Sequence, residues 1–279
     1  MKSAPLSFPF LPESFKQRFA FRLSVPSFIY PASYVENVQR LAPFVDEIEL
    51  LLLESAESSL PKRSEIDEMA TLAQAHHITY NVHLPIDLDL ANIDSQIRRR
   101  GVERLTNAID RVCPLSPTTH TLHLPFNEAD TESSTIEKWV LRNRESLCET
   151  LNSGKISPGD ISVETLSYPP FYFERLVTEL DLAVCIDIGH LLRYGFNLES
   201  VWATYKKRTT MIHLHGVYRG EDHLALDRMA EEHRAKVRAC LGDYTGGLSL
   251  ELFSFERLAA SLPCLVRMFP PDPEDTTQG

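Results

Sequence analysis

Short runs in which aliphatic and polar residues alternate recur along the chain, separated by longer stretches with helical spacing. Eight runs read as strands: 21–25, 47–52, 78–84, 118–124, 160–166, 182–188, 209–215 and 247–253. The gaps predict helices over 33–42, 64–76, 94–112, 133–150, 170–180, 197–206 and 227–241, with a short last helix after Phe253. In 64–76, Ser64 is the expected N-cap, and Ile66, Met69, Leu72 and Ala73 fall on one face. Strand alternating with helix eight times predicts an α/β fold with a parallel sheet, closing most naturally into a single (β/α)8 barrel. A doubly wound open sheet is the structural alternative. No G-x-G-x-x-G or phosphate-binding loop follows any strand, which weakens its nucleotide-binding versions. The expected organisation is an N-terminal extension at 1–20 on the outside or under the barrel, the barrel over 21–268, and a disordered, proline-rich acidic tail at 269–279.

Because side chains alternate along a strand, each run has two faces. In seven runs one face is aliphatic and suits a ring of helices. The other ends, toward the C-terminal side, in a ligand-type group: Glu49, His83, His123, Glu164, Asp187, His213 or Glu251. Barrel enzymes carry their sites at that end. Four carboxylates and three imidazoles cannot share a dry pocket as bare charges, so divalent cations are expected, with mixed N and O donors favouring zinc, manganese or iron. The loops add donors: His190 follows Asp187 by three residues, with Gly189 permitting the turn, His215 shares the face of His213, and Glu221, Asp222 and His223 follow the seventh run.

Other candidates read more plainly. His76, His77 and His233 fall in helices and are expected to face solvent, and His120 lies on an outer strand face. Glu47 shares the interior phase with Arg22, suggesting a buried ion pair low in the barrel. Glu54 divides evenly between loop surface and substrate contact. The clusters at Arg98–Arg100 and Lys206–Arg208 read as solvated helix faces, and Cys185 as packing.

Composition sharpens the picture. The chain has 279 residues, 43% hydrophobic and 24% charged, enough to bury a full core. A net charge of −11 disfavours nucleic acid and anionic membrane as partners. The five cysteines form no C-x-x-C pair, which suits reduced thiols in a cytoplasmic protein. Proline and charge interrupt the apolar start, unlike a signal peptide, and no run reaches a membrane-span length.

Taken together, E-x-L at 49–51, VHL at 82–84, LHL at 122–124, VE at 163–164, DIGH at 187–190, HLH at 213–215 and LEL at 250–252 resemble the xylose-isomerase-like barrels, including the family 2 apurinic endonucleases. Within that superfamily, RLSVPSFIYPA (22–32), DEIELLLLES (46–55), YNVHLPIDLDL (80–90), CIDIGHLLRYG (185–195) and HLHGVYRGEDHLAL (213–226) resemble the cobamide-remodelling phosphodiesterases. The resemblance implies a metal-dependent phosphodiesterase that cuts the nucleotide loop of a B12-type cobamide and releases a cobinamide-type product.

Carried over from the endonuclease branch, it implies one metal on His83, His123 and Glu164. A second would be shared by Glu164 with Asp187, His213 and Glu251, and a third held by His190 and His223 with Glu221. One to three zinc or manganese ions per chain follow. Glu164 is the expected bridge, and Glu49, Glu251 or Asp222 the group that positions or deprotonates water. Tyr30, Arg193 and Tyr194 are candidate grips on the substrate. The main alternative is a sugar isomerase or epimerase with a single metal on Glu164, Asp187, His213 and Glu251. A repair endonuclease is disfavoured by the charge, and a closed structural metal or corrinoid carrier by the open mouth of barrels.

Overall fold

The aliphatic alternation becomes strand where predicted. The computed structural model describes residues 8–270. Its first seven strands are β1 (Arg22–Pro26), β2 (Glu47–Leu51), β3 (Thr79–His83), β4 (His120–Leu122), β5 (Ile161–Glu164), β6 (Ala183–Asp187) and β7 (Thr209–Leu214). A separate pair follows, β8 (Gly216–Tyr218) and β9 (Glu221–Leu224), and then β10 (Gly247–Leu250) closes the barrel. Every barrel pairing is parallel, in the cyclic order β1-β10-β7-β6-β5-β4-β3-β2. Outward-facing Ile48, Leu50, Val82, Leu122, Val163, Val184, Ile186, Ile212 and Leu248 are fully covered. Their partners lie on the helices α1 (Tyr34–Leu41), α2 (Arg63–His76), α3 (Ser95–Val112), α4 (Ser133–Asn152), α5 (Phe171–Leu180), α6 (Ile188–Tyr194), α7 (Leu198–Tyr205), α8 (Glu231–Leu241) and α9 (Phe255–Met268).

The barrel interior is polar. Ser24, Glu47, Glu49, Asn81, Thr121, Ser162 and Ser249 are all fully buried in it, and buried polar groups persist only when paired. Glu47 accepts from Thr79 Oγ1 (2.9 Å), Asn81 Nδ2 (3.0 Å) and Thr118 Oγ1 (2.6 Å). It lies 3.6 Å from Arg22 Nε, but the Arg22 side chain is 41% exposed. Hydroxyls and an amide therefore neutralise the burial cost of Glu47, rather than the fully buried ion pair expected.

Helix starts follow side-chain chemistry. Ser33, Asp94, Asn197 and Ser254 each accept from a first-turn amide. Helix α2 starts one residue before Ser64, and Glu65 accepts from the Lys62 amide (2.8 Å) in place of a Ser64 cap. Three further differences matter. Helix α9 spans 14 residues rather than a short turn, because Leu258, Leu262 and Leu265 bury one face while Pro263 sits on the exposed one. Helix α8 starts only at Glu231, and the residues before it form a 3-10 turn at Leu226–Arg228. Between Leu214 and that turn, β8 and β9 make an antiparallel hairpin that the alternation of residues does not predict.

Of the expected N-terminal extension, 1–7 lie outside the described residues, and the part from Phe8 onward runs along the outside of α1. Arg40 Nη1 donates to the Phe8 carbonyl and stacks over Phe10, and the Phe15 amide bonds the Phe44 carbonyl. At the other terminus Phe269 packs edge-on to Phe21 (5.3 Å), so the first residue of the expected tail belongs to the packed body. The expectation of disorder at 271–279 lies outside the described residues. Among the described residues no helix is long and apolar enough to cross a membrane, and all five cysteines are unpaired.

Candidate metal centre

The C-terminal ends of β2, β3, β5, β6 and β7, with the segments after β4, β6 and β10, deliver the expected groups to one volume. Glu164 sits at its middle with its two oxygens turned to different partners. Oε2 lies 2.9 Å from His123 Nε2 and 3.3 Å from His83 Nε2. Oε1 lies 3.4 Å from His190 Nδ1 and 3.7 Å from His213 Nδ1. Glu251 Oε2 is 3.4 Å from His213 Nδ1 and 3.7 Å from His223 Nδ1. Asp187 Oδ2 is 3.2 Å from His190 Nδ1. With Glu49 against His213, 3.1 Å away, all seven strand-end groups converge.

Backbone carbonyls orient the rings. His83 Nδ1 lies 3.0 Å from Leu84 O, His190 Nδ1 3.1 Å from Thr165 O, and His223 Nδ1 3.1 Å from Glu251 O. A carbonyl can only accept, so a ring nitrogen bonded to one carries a proton. In His83 this pins the far nitrogen, the usual support of a metal-binding histidine, and leaves Nε2 facing Glu164, whereas in His190 and His223 the same Nδ1 also faces the carboxylates of Glu164, Asp187 and Glu251.

The donor set fits divalent metal. Oxygen and nitrogen ligand atoms of His83, Glu164 and His213 lie within 4.8 Å of one another, as do those of Glu164, Asp187 and His190, of Glu49, His213 and Glu251, of Asp187, His215 and Glu251, and of His190, His215 and His223. Both ring nitrogens of His213 and Oε2 of Glu251 are buried without a hydrogen-bond partner, a state that a bound cation would relieve. The titration behaviour reflects the same packing of charge. Burial alone would lower the His83 imidazole, but Glu164, Glu251 and Glu49 override it and hold it up at about 9. His213 is likewise raised well above its ordinary value against a burial cost, by Cys185 and the surrounding glutamates. Burial pushes Glu164 and Glu251 up, yet the imidazoles, His213 prominent among them, bring both below the usual carboxylate range.

Several groups take other places than expected. Glu49 is fully buried, with Oε2 accepting from Ser249 (2.5 Å) and Oε1 3.1 Å from His213 Nε2; it stands behind a ligand rather than beside a water. Asp222 is ion-paired with Arg193 and belongs to none of the ligand groupings. Burial raises its pKa, but the Arg193 hydrogen bond and the charges of His223, Arg193 and His215 bring it below the aspartate range, which makes it a weak base. Glu221 is exposed on the hairpin and joins no grouping either. Tyr30 is buried, and its hydroxyl donates to Pro9 O (2.8 Å). Arg193 and Tyr194 are exposed at the mouth, the guanidinium 5.4 Å over the Tyr194 ring. Glu54 is exposed and accepts from Ser59 Oγ (2.9 Å).

His215, expected among the loop donors, is left out of the ligand set that the resemblance implies. It is fully buried, stacked on His223 (4.1 Å), with Nε2 3.2 Å from Asp187 Oδ1 and Nδ1 accepting from the His223 amide (2.9 Å). Its phase with His213 was the available signal. Gly189 serves it directly. That residue lies in the first turn of α6, whose N-cap is Asp187, and an added Cβ would stand 1.9 Å from His215 Cε1. Gly189 is thus there for close approach, not for a turn.

A closed parallel barrel with imidazole and carboxylate ligands massed at its C-terminal mouth defines a barrel of metal-binding type. A profile of the xylose isomerase-like TIM barrel family matches residues 44–256, and the chain belongs to that family. No curated protein matches it in sequence. Among solved structures it resembles a D-tagatose 3-epimerase-like protein (18% identity, TM-score 0.74, 89% of this chain and 97% of that one). It also resembles a D-psicose 3-epimerase from Clostridium cellulolyticum (14%, 0.65, 84% and 85%) and endonuclease IV from Thermus thermophilus (14%, 0.65, 88% and 98%).

Proposed function

We propose that the protein is a metal-dependent phosphodiesterase that cuts the nucleotide loop of cobamides, releasing a cobinamide-type product. The observation that carries this reading is the division of Glu164, with Oε2 facing His83 and His123 and Oε1 facing His190 and His213. A carboxylate so placed suits a bridge between two cations. His83, His123 and Glu164 would hold one, and Glu164, Asp187, His213 and Glu251 the other, with His190 and His223 beyond, and His215, whose Nδ1 accepts from the His223 amide and whose Nε2 faces Asp187, positioning them. Divalent cations there would supply Lewis-acid charge for the phosphoryl oxygens and a water of lowered pKa.

The protein's own groups fix that arrangement. The Leu84 carbonyl holds His83 with Nε2 toward Glu164, Glu49 lies against His213, and Tyr194 stands exposed at the rim beside Arg193, whose charge is paired with Asp222. The cobamide assignment rests on the stretches at 22–32, 46–55, 80–90, 185–195 and 213–226, which supply the C-terminal ends of β1, β2, β3, β6 and β7 and the loops beyond them. Incubation of Zn²⁺- or Mn²⁺-loaded protein with a cobamide tests it. Release of the nucleotide-loop product is expected, and an unchanged cobamide with every metal overturns the reading.

The epimerase neighbours favour a second reading. Endonuclease IV aside, the structures compared above bear the names of sugar 3-epimerases, and Glu164, Asp187, His213 and Glu251 would suffice for a single metal. One metal per chain with conversion of D-tagatose or D-psicose would establish that reading. Two or three metals per chain favour the phosphodiesterase.

A further inference from the structure

A cavity of about 770 Å³ opens at the C-terminal ends of β10, β1 and β2, on the same face as the metal centre. Phe28, Tyr30, Leu51, Leu53, Phe253 and Phe255 form much of its wall. Three of these stand partly open to solvent, Phe28 at 40%, Leu53 at 39% and Phe253 at 41%. Apart from the exposed carboxylate of Glu256, the wall offers almost no free hydrogen-bonding group. Tyr30 Oη donates to Pro9 O, neighbouring Tyr34 Oη donates to Leu51 O (2.9 Å), and Ser254 Oγ accepts from the Arg257 amide (3.3 Å). The cavity adjoins the ligand cluster, since the Phe253 ring lies 4.8 Å from that of His223.

We infer that this cavity is a substrate subsite that holds a bulky, predominantly apolar ring system carried on one arm of the phosphodiester. The inference rests on the phosphodiesterase reading and locates where the bulk of its substrate is held. Volume and lining both disfavour a monosaccharide as the natural occupant. Away from Glu256 its hydroxyls would be desolvated against phenylalanine and leucine without partners, and a pocket of this size suits a larger ligand. An apolar arm gains by burial at every wall, and the contact between Phe253 and His223 places its point of attachment beside the metal ligands. Selection between phosphodiesters thus comes from the arm and not from the phosphate.

The test uses the full-length, metal-loaded protein and N-phenyl-1-naphthylamine, an uncharged apolar fluorophore. Enhanced fluorescence is expected on binding, with displacement by an aryl phosphodiester and none by D-fructose at the same concentration. Leu53→Asp and Phe28→Asp, both at partly exposed positions, are each expected to weaken binding of the dye at least about tenfold by charging the wall, with metal content per chain unchanged. Dye that fails to bind, that binds both variants as tightly as the parent, or that D-fructose displaces overturns the subsite. Dye binding that behaves as expected while metal-loaded protein hydrolyses no phosphodiester sinks the activity and leaves the apolar pocket standing, so the two failures are distinct.

Discussion

His213 Nε2 lies 3.1 Å from Glu49 Oε1, one residue layer below the ligand cluster, and its other ring nitrogen faces Glu251 and Glu164. Glu49 therefore acts on the centre through His213. Glu49→Gln preserves shape and removes the charge. It is expected to weaken metal binding about 10- to 100-fold without changing the number of sites, measured by competition with a chelator. Unchanged affinity with lost turnover would instead make Glu49 the base that deprotonates water.

Asp222 supports a contrasting expectation. Its carboxylate is committed to Arg193 and held below the usual aspartate range. Loss of a true general base costs about 10²- to 10⁴-fold in rate. Asp222→Asn is expected to cost less than about tenfold, whereas a loss within the larger range would restore Asp222 as the base.

The barrel and its ligand ring were legible because strand periodicity is a local property. Two-residue alternation put Glu49, His83, Asp187 and His213 on the inner face of a closed cylinder, and inner faces have nowhere else to point. What lay off the strands was not legible. The hairpin at Gly216–Leu224 decides that His223 points inward while Asp222 meets Arg193 and Glu221 meets solvent. Sequence order alone made all three equal candidates. His223 reaches its place through a positive φ of 49°, a conformation that no residue pattern announces. Tyr30 departs from expectation for a related reason: its loop carries it under Pro9 into the cavity wall rather than above the centre.

Gly189 offers a steric test. A Cβ there meets the His215 ring at 1.9 Å, and both residues are buried. Gly189→Ala must move His215, and with it the contact to Asp187 and the stack on His223. A loss of about 1–3 kcal/mol is expected from overpacking, read from denaturant unfolding of metal-free protein, together with fewer metal ions retained per chain. Parent-like stability would mean that α6 and His215 pack less closely than described.

The last expectation concerns pH. In the metal-free protein His83 titrates at about 9 and His213 well above its ordinary value, so both carry a proton at neutral pH. His215 is held up at about 9 as well, and His190 is raised, so metal must displace roughly two or more protons per chain at pH 7, and apparent affinity should rise with pH until His83 has titrated. Stability of the metal-free protein runs the other way. The His83 contribution is fully present below its ordinary value of 6.5 and is lost as pH rises through about 9. The lowered Glu164 and Glu251 contribute above their ordinary 4.5 and lose that contribution as pH falls through their depressed values. Thermal unfolding with chelator should therefore show this site at its most stabilising between pH 4.5 and 6.5, with a decline toward 9. Saturating Zn²⁺ should reverse the alkaline trend, because deprotonated imidazoles bind it better. Calorimetry in buffers of different ionisation enthalpy counts the released protons, and a count of zero at pH 7 would show that the imidazoles are already neutral and that the carboxylates do not hold their protons in place.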